Sequence, residues 1–422
     1  MNVPVIGPYI ELLRRNRQYR WLWLSAVVSL TGDWFNVIAT TTLLSRVSDS
    51  GLAISALFIA RLLPPLLLGP AVGVIADRFD RRKILILSDL LRMVVVLGFL
   101  LVKTERDIWL LYSLTFLQLS ISAFFEPSRA ALMPNIVERR DLITANALDG
   151  TTWSSMLAVG AALGGLATAL LGTTTALIID SITFAISAWC LVRVGSPPPD
   201  RLGPVAQNGK QSFSEGLRYL WQRPHTLVLA LIKGASALSF GAMAVVEVNF
   251  AEKIFPIGAD SSGALGLIYV ATGIGTGLAP LVARHFSGDH PLAMRRALTA
   301  AFVLSVIGFI GVAWSPTLPV LLLATIIRTG GSGTSWVYSS ALLQMMVPDR
   351  FRGRTFAFDF AMFTLASVTA NLWGGFAMDT LGLLPREVAV VAGLVAIAVL
   401  AAWLIYDQTY RRQHEALSQD ML

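Results

Sequence analysis

The sequence is poor in charge, in cysteine and in histidine. Only 14% of its 422 residues are Asp, Glu, Lys or Arg, whereas 55% are hydrophobic; an average soluble domain carries about 25% charged residues. This balance excludes a soluble enzyme, a disordered chain and a nucleic-acid-binding domain. The single cysteine, Cys190, cannot form an intrachain disulfide, and the four histidines do not have the spacing of metal ligands. We therefore predict no metal site.

Motifs of nucleotide and covalent chemistry are missing too. There is no GxxxxGK(S/T) loop, and the glycines at 273, 275 and 277 lie inside an apolar run with no strand before them. Nor does the sequence contain a recognisable nucleophile–base pair. It therefore predicts a protein that is not an enzyme and binds no cofactor.

Long apolar runs dominate what is present. A helix needs about 20 residues to cross the ~30 Å hydrocarbon core of a bilayer, and runs of that length recur along the chain. We predict an all-α membrane protein with twelve spans, at 21–43, 52–76, 84–102, 109–132, 153–171, 174–193, 225–247, 263–283, 295–314, 318–341, 356–379 and 388–406.

The basic residues predict the orientation in the membrane. If both termini are cytoplasmic, 23 of the 33 Lys and Arg residues fall on the cytoplasmic side and five on the other side. The positive-inside rule describes this bias. The net charge of +7 is thereby assigned to topology, and we expect no nucleic-acid partner.

The longest internal loop, 194–224, divides the chain into two bundles of six spans, 1–193 and 225–422. Pro197-Pro198-Pro199 predicts an extended spacer at its start. The end of the loop has an apolar face, which favours an amphipathic helix on the membrane surface over a plain linker. That face consists of Phe213, Leu217, Leu220 and Trp221.

The two halves repeat one another weakly and in the same order. The segment 69–87 has a counterpart at 277–300, and 133–148 has one at 346–360. Gly164-Gly165 in the fifth span matches Gly374-Gly375 in the eleventh. Two six-span halves in the same orientation are typical of a parallel repeat with the transport path between them.

The strongest local signal is GxxxDRxxRR between the second and third spans, formed by Gly73, Asp77, Arg78, Arg81 and Arg82. Glycine lets a neighbouring helix approach closely, an acidic side chain is favoured at a helix N-terminus, and arginines bind carboxylates in a bidentate manner. Such a cluster can latch one conformation. The alternative is a plain positive-inside anchor.

The chain resembles the major facilitator superfamily through this loop, and the resemblance covers its whole length. Four stretches resemble the drug- and siderophore-exporting branch, which includes macrolide-efflux proteins and the enterobactin exporter. These are LTGDWFNVIA (30–39), FFEPSRAALMPNIVERRDLITANAL (124–148), FSEGLRYLWQRP (213–224) and VPDRFRGRTFAF (347–358).

The resemblance implies a major facilitator fold of two pseudosymmetric six-helix bundles in the bacterial cytoplasmic (inner) membrane. It also implies that Asp77, Arg78 and Arg81 latch the outward-open state. The implied activity is efflux of small amphipathic molecules, drugs or siderophores, by proton antiport. The proton gradient would then be the driving force, and lipid, substrate and protons the partners of a monomer.

Two departures from the family pattern stand out. The second half has Ala283-Arg284 where Asp-Arg would stand, so we expect no equivalent latch there. The fifth span reads GAALGG rather than GPxxGG, which removes a helix-bending proline and weakens the inference of proton-driven export. Gly160, Gly164 and Gly165 remain candidates for close helix packing.

Asp33, near the middle of the first span, is the best candidate for proton coupling. A charge at that depth is costly and is usually paired, protonated or facing a cavity. A carboxylate that binds and releases protons as access alternates fits this position. A structural partner to a buried base is the alternative. Asp359, near the inner end of the eleventh span, is a weaker candidate for a gate or a proton relay.

Other intramembrane charges are candidates for the substrate cavity, namely Arg61, Glu126, Arg129, Lys233 and Arg328. Glu126 and Arg129 lie at i, i+3 and can neutralise each other, and Asp89 and Arg92 have the same spacing. Arg61 and Arg328 have no local partner. They are expected to meet an anionic substrate or to pair with Asp33 or Asp180.

Two rival functions remain at this point. A proton-independent facilitator or importer of a single metabolite or lipid would share the fold. A non-transporting scaffold or sensor would need a sizeable soluble output domain, and both the 194–224 loop and the tail after Tyr406 are too short for one.

Overall fold

The computed structural model describes residues 7–195, 215, 217–257, 262–288 and 290–419. Side chains are described for these residues except 70–78, 143, 154, 349, 350 and 411–419. All regular secondary structure in this part of the chain is helical. It falls into two compact units: unit 1 is Met1–Gln207 with Ala251–Val270, and unit 2 is Asn208–Phe250 with Ala271–Leu422.

The helices of the first half begin near the N-terminus and are joined by short turns. They are α1 (Gly7–Arg15), α2 (Arg17–Val47), α3 (Gly51–Arg78), α4 (Arg81–Gly98), α5 (Ile108–Ile136) and α6 (Leu142–Val192). Gly172 interrupts α6 with φ 83° and ψ 163°. Because only glycine adopts this backbone conformation readily, the break divides α6 into the predicted fifth and sixth spans.

The second half follows a short helical stretch, α7, at 217–221. Its helices are α8 (Pro224–Phe240), α9 (Met243–Asn249), α10 (Ser262–Ser287), α11 (Pro291–Ala313), α12 (Leu318–Met346), α13 (Asp349–Asp379) and α14 (Pro385–Gln419). A π-helical turn, Phe250–Ile254, continues α9. The predicted seventh span, 225–247, therefore consists of α8 and most of α9, and the apolar helix continues beyond it to Ile254.

Ten helices in the described ranges are long and apolar enough to cross a membrane. One of them, Thr144–Val192, is 49 residues long, which provides two crossings on either side of Gly172. The helix α12, 29 residues long, is less apolar because Arg328 and a run of Gly, Ser and Thr occupy its middle. With these two additions, the helices account for the twelve predicted spans and confirm the all-α membrane fold.

Side-chain caps fix where two of the helices begin. The Asn16 side chain accepts a hydrogen bond from Tyr19 N at the start of α2 (2.9 Å). The Asp80 side chain accepts one from Arg82 N at the start of α4 (2.9 Å). The acidic residue at this N-terminus is therefore Asp80 and not Asp77, which lies in the last turn of α3.

Glycines allow the same helix contact in both units. A Cβ on Gly164 of α6 would lie 3.0 Å from the Trp34 carbonyl oxygen of α2, and one on Gly374 of α13 would lie 3.1 Å from Ala242 Cα between α8 and α9. Each contact joins the fifth span of a half to its first span. The weak internal repeat thus corresponds to a repeated packing contact.

The two other glycines of the GAALGG segment also lie at close contacts. Gly160 packs on the Trp34 side chain, and Gly165 lies against Gly266 within unit 1. A Cβ on Gly165 would lie 2.6 Å from Gly266 Cα, a distance that no larger residue tolerates without moving a backbone.

The expected amphipathic face at the end of the 194–224 loop is only partly found. Within α7, Leu220 is buried but Trp221 is 70% exposed, so these two side chains do not share one face. The buried aromatic residue is Tyr219, which stacks on Phe351 at 4.3 Å between ring centroids. A one-residue step on a helix turns by about 100°, which explains the separation of Leu220 from Trp221. Phe213 and the three prolines lie outside the described residues.

Candidate functional site

A buried charge network in unit 1 is centred on Arg92 of α4. The Arg92 guanidinium pairs with Asp89 at 2.5 Å, one turn away, as the i, i+3 spacing predicts. Asp89 also accepts a hydrogen bond from Ser187 of α6 at 2.6 Å. The guanidinium lies over the rings of Phe125 (4.7 Å) and Phe184 (4.4 Å). Aromatic faces and a hydrogen-bonded carboxylate together stabilise the buried cation.

Asp33 of α2 lies at the edge of this network. Its carboxylate is 3.8 Å from Arg92 Nη1, beyond a normal hydrogen bond, and its side chain is 37% exposed while that of Arg92 is 2% exposed. Arg92, Arg61 and Glu126 are among the charged groups that act electrostatically on it. Asp33 therefore lies near a basic side chain but does not form a close ion pair with it.

Arg61 of α3 bonds to neutral groups through one nitrogen, while its buried Nε has no hydrogen-bond partner among the described residues. Its Nη2 donates to Asn36 Oδ1 at 2.9 Å and to Thr40 Oγ1 at 2.8 Å, both on α2. No ion pair to Asp33 or Asp180 within 4.0 Å is found among the described residues. The expected pairing with either aspartate is wrong for this conformation, because the guanidinium donates to the polar face of α2 instead.

Arg129 of α5 has a better partner than the one predicted. Its Nη1 lies 2.9 Å from Asp149 of α6, whereas its Nε lies 3.6 Å from Glu126. Tyr19 also donates a hydrogen bond to Asp149, at 3.1 Å. Sequence reasoning missed Asp149 because a partner 20 residues away produces no i, i+3 or i, i+4 pattern.

Two of the predicted candidates in unit 2 pair with each other. Lys233 Nζ of α8 lies 2.5 Å from Asp359 Oδ2 of α13, and both side chains are buried. The ammonium group also lies over the rings of Trp336 (4.5 Å) and Phe356 (5.5 Å). Asp359 Oδ1 has no hydrogen-bond partner in the described part of the chain.

Arg328 of α12 pairs with Glu247 of α9. Both are buried, and the guanidinium lies over the rings of Phe240 (5.7 Å) and Phe309 (5.5 Å). The expectation that Arg328 pairs with Asp33 or Asp180 is therefore wrong. Glu247 is the last residue of the predicted seventh span. This position of a carboxylate in an apolar span was the one sequence signal that could have identified it as a partner.

A third buried pair in unit 2 had no counterpart in the sequence analysis. Arg295 Nε of α11 donates to Asp407 Oδ1 of α14 at 2.7 Å. Tyr410 lies 3.8 Å from the guanidinium carbon, and Trp403 lies 5.1 Å from it. This pair joins the start of α11 to the cytoplasmic end predicted for α14.

The described part of the predicted latch binds backbone carbonyls. Arg81 Nη1 donates to Ala131 O of α5 at 3.3 Å. Arg82 donates to Leu191 O at 3.1 Å and to Val192 O at 2.5 Å, at the C-terminus of α6, where a cation is favoured. The side chains of Asp77 and Arg78 and the surroundings of Gly73 lie outside what the structure describes.

The sequence matches the family described as transmembrane secretion effector over residues 12–420. The chain belongs to this family of the major facilitator superfamily. It is therefore a multi-pass membrane transporter and not an enzyme.

Similar transporters occur in several bacteria. The chain is 26% identical to the MFS-type transporter YfiS of Bacillus subtilis, over 88% of this chain and 89% of that one. It is 24% identical to the multidrug efflux pump Tap of Mycolicibacterium fortuitum, over 90% and 94%. It is also 25% identical to macrolide efflux protein A of Streptococcus pyogenes, over 50% and 53%.

Solved structures share the fold of this transmembrane secretion effector. The nucleoside transporter NupG aligns with a TM-score of 0.70 at 11% identity, over 92% of this chain and 98% of that one. A bacterial homologue of the human lysosomal transporter Spinster, in an inward-facing state, also aligns with a TM-score of 0.70, at 13% identity, over 94% and 97%.

Proposed function

We propose that this transporter exports small amphipathic molecules, drugs or siderophores, by alternating access and proton antiport. The efflux activities named for Tap and for macrolide efflux protein A support the direction and the broad substrate class. Within this proposal the protein works as a monomer in the bacterial inner membrane with cytoplasmic termini, and the proton gradient replaces a bound cofactor.

The single observation that supports proton coupling is that Arg92 pairs closely with Asp89 and only loosely with Asp33. Arg92 makes its close contact with buried Asp89 and leaves the partly exposed Asp33 at 3.8 Å. Asp33 can therefore take up a proton without unpairing Arg92. A carboxylate is not stable against lipid tails, so the exposed side of Asp33 fits a water-filled path. A group that is reachable by water and near a fixed cation can bind and release a proton as access alternates.

The ion pairs support different roles for the predicted cavity residues. Lys233, Arg328 and Arg129 are engaged with carboxylates, so they serve the substrate only after a pair opens. Arg61 donates to neutral groups and not to a carboxylate. Arg61 is thus the candidate best placed to attract an anionic part of a substrate.

The test is substrate-driven proton movement in proteoliposomes. The probes are ethidium as a cationic dye, erythromycin as a macrolide and enterobactin as a catecholate siderophore. We expect one of them to drive proton movement in the wild type and not in Asp33→Asn. Glu105→Gln, which removes an exposed carboxylate from a loop, is the matched control and should behave as the wild type.

Proton-independent flux in both proteins would contradict antiport and favour the facilitator alternative. Silence toward every probe in folded protein would contradict the proposed substrate classes. Transport of a probe only in the inward direction would favour an importer.

A further inference from the structure

Asp180 of α6 is an acid with no partner in the mechanism above. Its side chain is 0% exposed, and neither carboxylate oxygen has a hydrogen-bond partner among the described residues. An ionised carboxylate in this position would lack water and a directly bonded partner, which costs far more than a protonated one. The geometry therefore fits a neutral carboxylic acid.

Gly32 allows the Asp180 carboxyl group to lie close to α2, the helix of the first span. A Cβ on Gly32 would lie 2.6 Å from Asp180 Oδ1 and would overlap Thr183 Oγ1. The Thr183 hydroxyl donates a hydrogen bond to the backbone carbonyl oxygen of Asp180, at 2.7 Å. The absence of a side chain at position 32 thus places the Asp180 carboxyl group directly against α2, beside Asp33.

Basic groups lie within reach but are already engaged. The charged groups that act electrostatically on Asp180 are Asp33 of α2, Arg92 of α4 and Arg61 of α3, and the Asn36 amide of α2 is its polar neighbour. Arg92 is bound to Asp89. Arg61 donates to Asn36 Oδ1, and the Asn36 amide nitrogen has no hydrogen-bond partner in the described ranges. A chain of polar groups therefore leads from Arg61 through Asn36 toward Asp180.

We propose that Asp180 holds a proton in this conformation, and that Arg61 becomes the counter-ion of its carboxylate when the proton leaves to water. Asn36 separates the two groups in the present structure and gives up its bond from Arg61 in the second state. The functional role rests on the proton antiport proposed above, in which Asp33 exchanges protons with water and Asp180 is the sealed second site. The protonation of Asp180 itself does not depend on antiport.

Infrared spectroscopy of the purified protein tests the protonation without any substrate. A protonated carboxylic acid has a carbonyl band that an ionised one lacks. We expect such a band in the wild type and in Asp33→Asn, and its loss in Asp180→Asn. On titration to high pH, Asp180→Asn should release about one proton fewer per chain than the wild type.

If Asp180→Asn does not fold, Gly32→Ala provides a second test of the proposal. Its added methyl group meets Asp180 Oδ1, so the carbonyl band should shift in frequency. Val37→Ala adds no group near Asp180 and is the matched control in α2. A band that is absent from the wild type, or unchanged in both Asp180→Asn and Gly32→Ala, would overturn the proposal.

The transport role is tested in the same proteoliposomes with ethidium, erythromycin and enterobactin. We expect Asp180→Asn to lose probe-driven proton movement and Asp180→Glu to restore part of it. Full coupling in Asp180→Asn, with Asp33→Asn uncoupled, would overturn the role of Asp180 and leave the antiport proposal standing. If the wild type moves no protons, antiport fails, and the infrared band still decides whether Asp180 is protonated.

Discussion

Lys233 and Asp359 form a buried ion pair of 2.5 Å that joins the seventh and eleventh spans. They entered the sequence analysis with separate roles, one as a substrate-cavity residue and the other as a proton-coupling residue. Their contact makes them one functional unit, since neither can change its charge or position without affecting the other. An opened pair would offer a cation flanked by Trp336 and Phe356.

Removing one partner of this pair should destabilise the protein more than removing both. Lys233→Met leaves the Asp359 carboxylate buried and unpaired, and a loss of about 3 kcal/mol is typical of that change. The double variant Lys233→Met/Asp359→Leu should recover most of it. Thermal unfolding in detergent, analysed as a double-mutant cycle, measures the coupling. Strictly additive losses would contradict a direct pair.

The glycine contact repeated in the two units predicts matched losses of stability. Gly164→Ala and Gly374→Ala add a methyl group 3.0–3.1 Å from backbone atoms, which typically costs about 1–3 kcal/mol. Gly69→Ala in α3 is the control, because no atom of the described side chains and backbone lies within 4 Å of its added Cβ; helix propensity favours this change by up to about 1 kcal/mol. Unfolding in detergent should separate the two classes, and equal effects at all three positions would refute the packing role.

Charge alone should not suffice at position 295. Arg295→Lys keeps the positive charge but loses the Nε hydrogen bond to Asp407 and the flat contact with Tyr410. We expect a loss of about 1–2 kcal/mol. The adjacent Arg296 is exposed, so Arg296→Lys should be neutral in the same unfolding assay. A neutral Arg295→Lys would show that the planar guanidinium is not required.

The predicted orientation can be tested by labelling, because the chain has one cysteine. Cys190 is buried, and Cys190→Ala provides a background for introduced thiols. Lys103→Cys should react with a membrane-impermeant maleimide on intact cells. Glu138→Cys should react only after permeabilisation. Both positions are exposed, so access is limited by sidedness alone, and the reverse pattern would place the termini outside.

Opening the second buried pair of unit 2 tests whether Arg328 has a role beyond stability. Glu247→Gln frees the guanidinium while leaving a hydrogen-bond acceptor of the same shape. If Arg328 meets an anionic substrate once the pair opens, enterobactin should bind more tightly to Glu247→Gln, by about threefold or more, and Arg328→Gln should not gain affinity. Equilibrium binding to the purified variants measures this difference. Unchanged affinity in Glu247→Gln would confine Arg328 to a structural role.

The sequence by itself determined the class, the helices and the location of most buried charges. Apolar runs of the length that a bilayer requires occur only in membrane proteins, so the twelve spans followed from composition and length. The i, i+3 spacing of Asp89 and Arg92 also gave a correct pair, because both residues belong to one helix whose geometry is fixed.

The tertiary structure alone decided which charges are partners. Arg328 pairs with Glu247 and Arg129 with Asp149, since a contact between helices depends on how each is rotated and shifted along its neighbour, which neither composition nor periodicity specifies. For the same reason the sequence did not predict that Asp180 lies beside Asp33, because this position depends on the missing side chain at Gly32. Hydropathy sets which segments are buried, and only packing sets what each buried group meets.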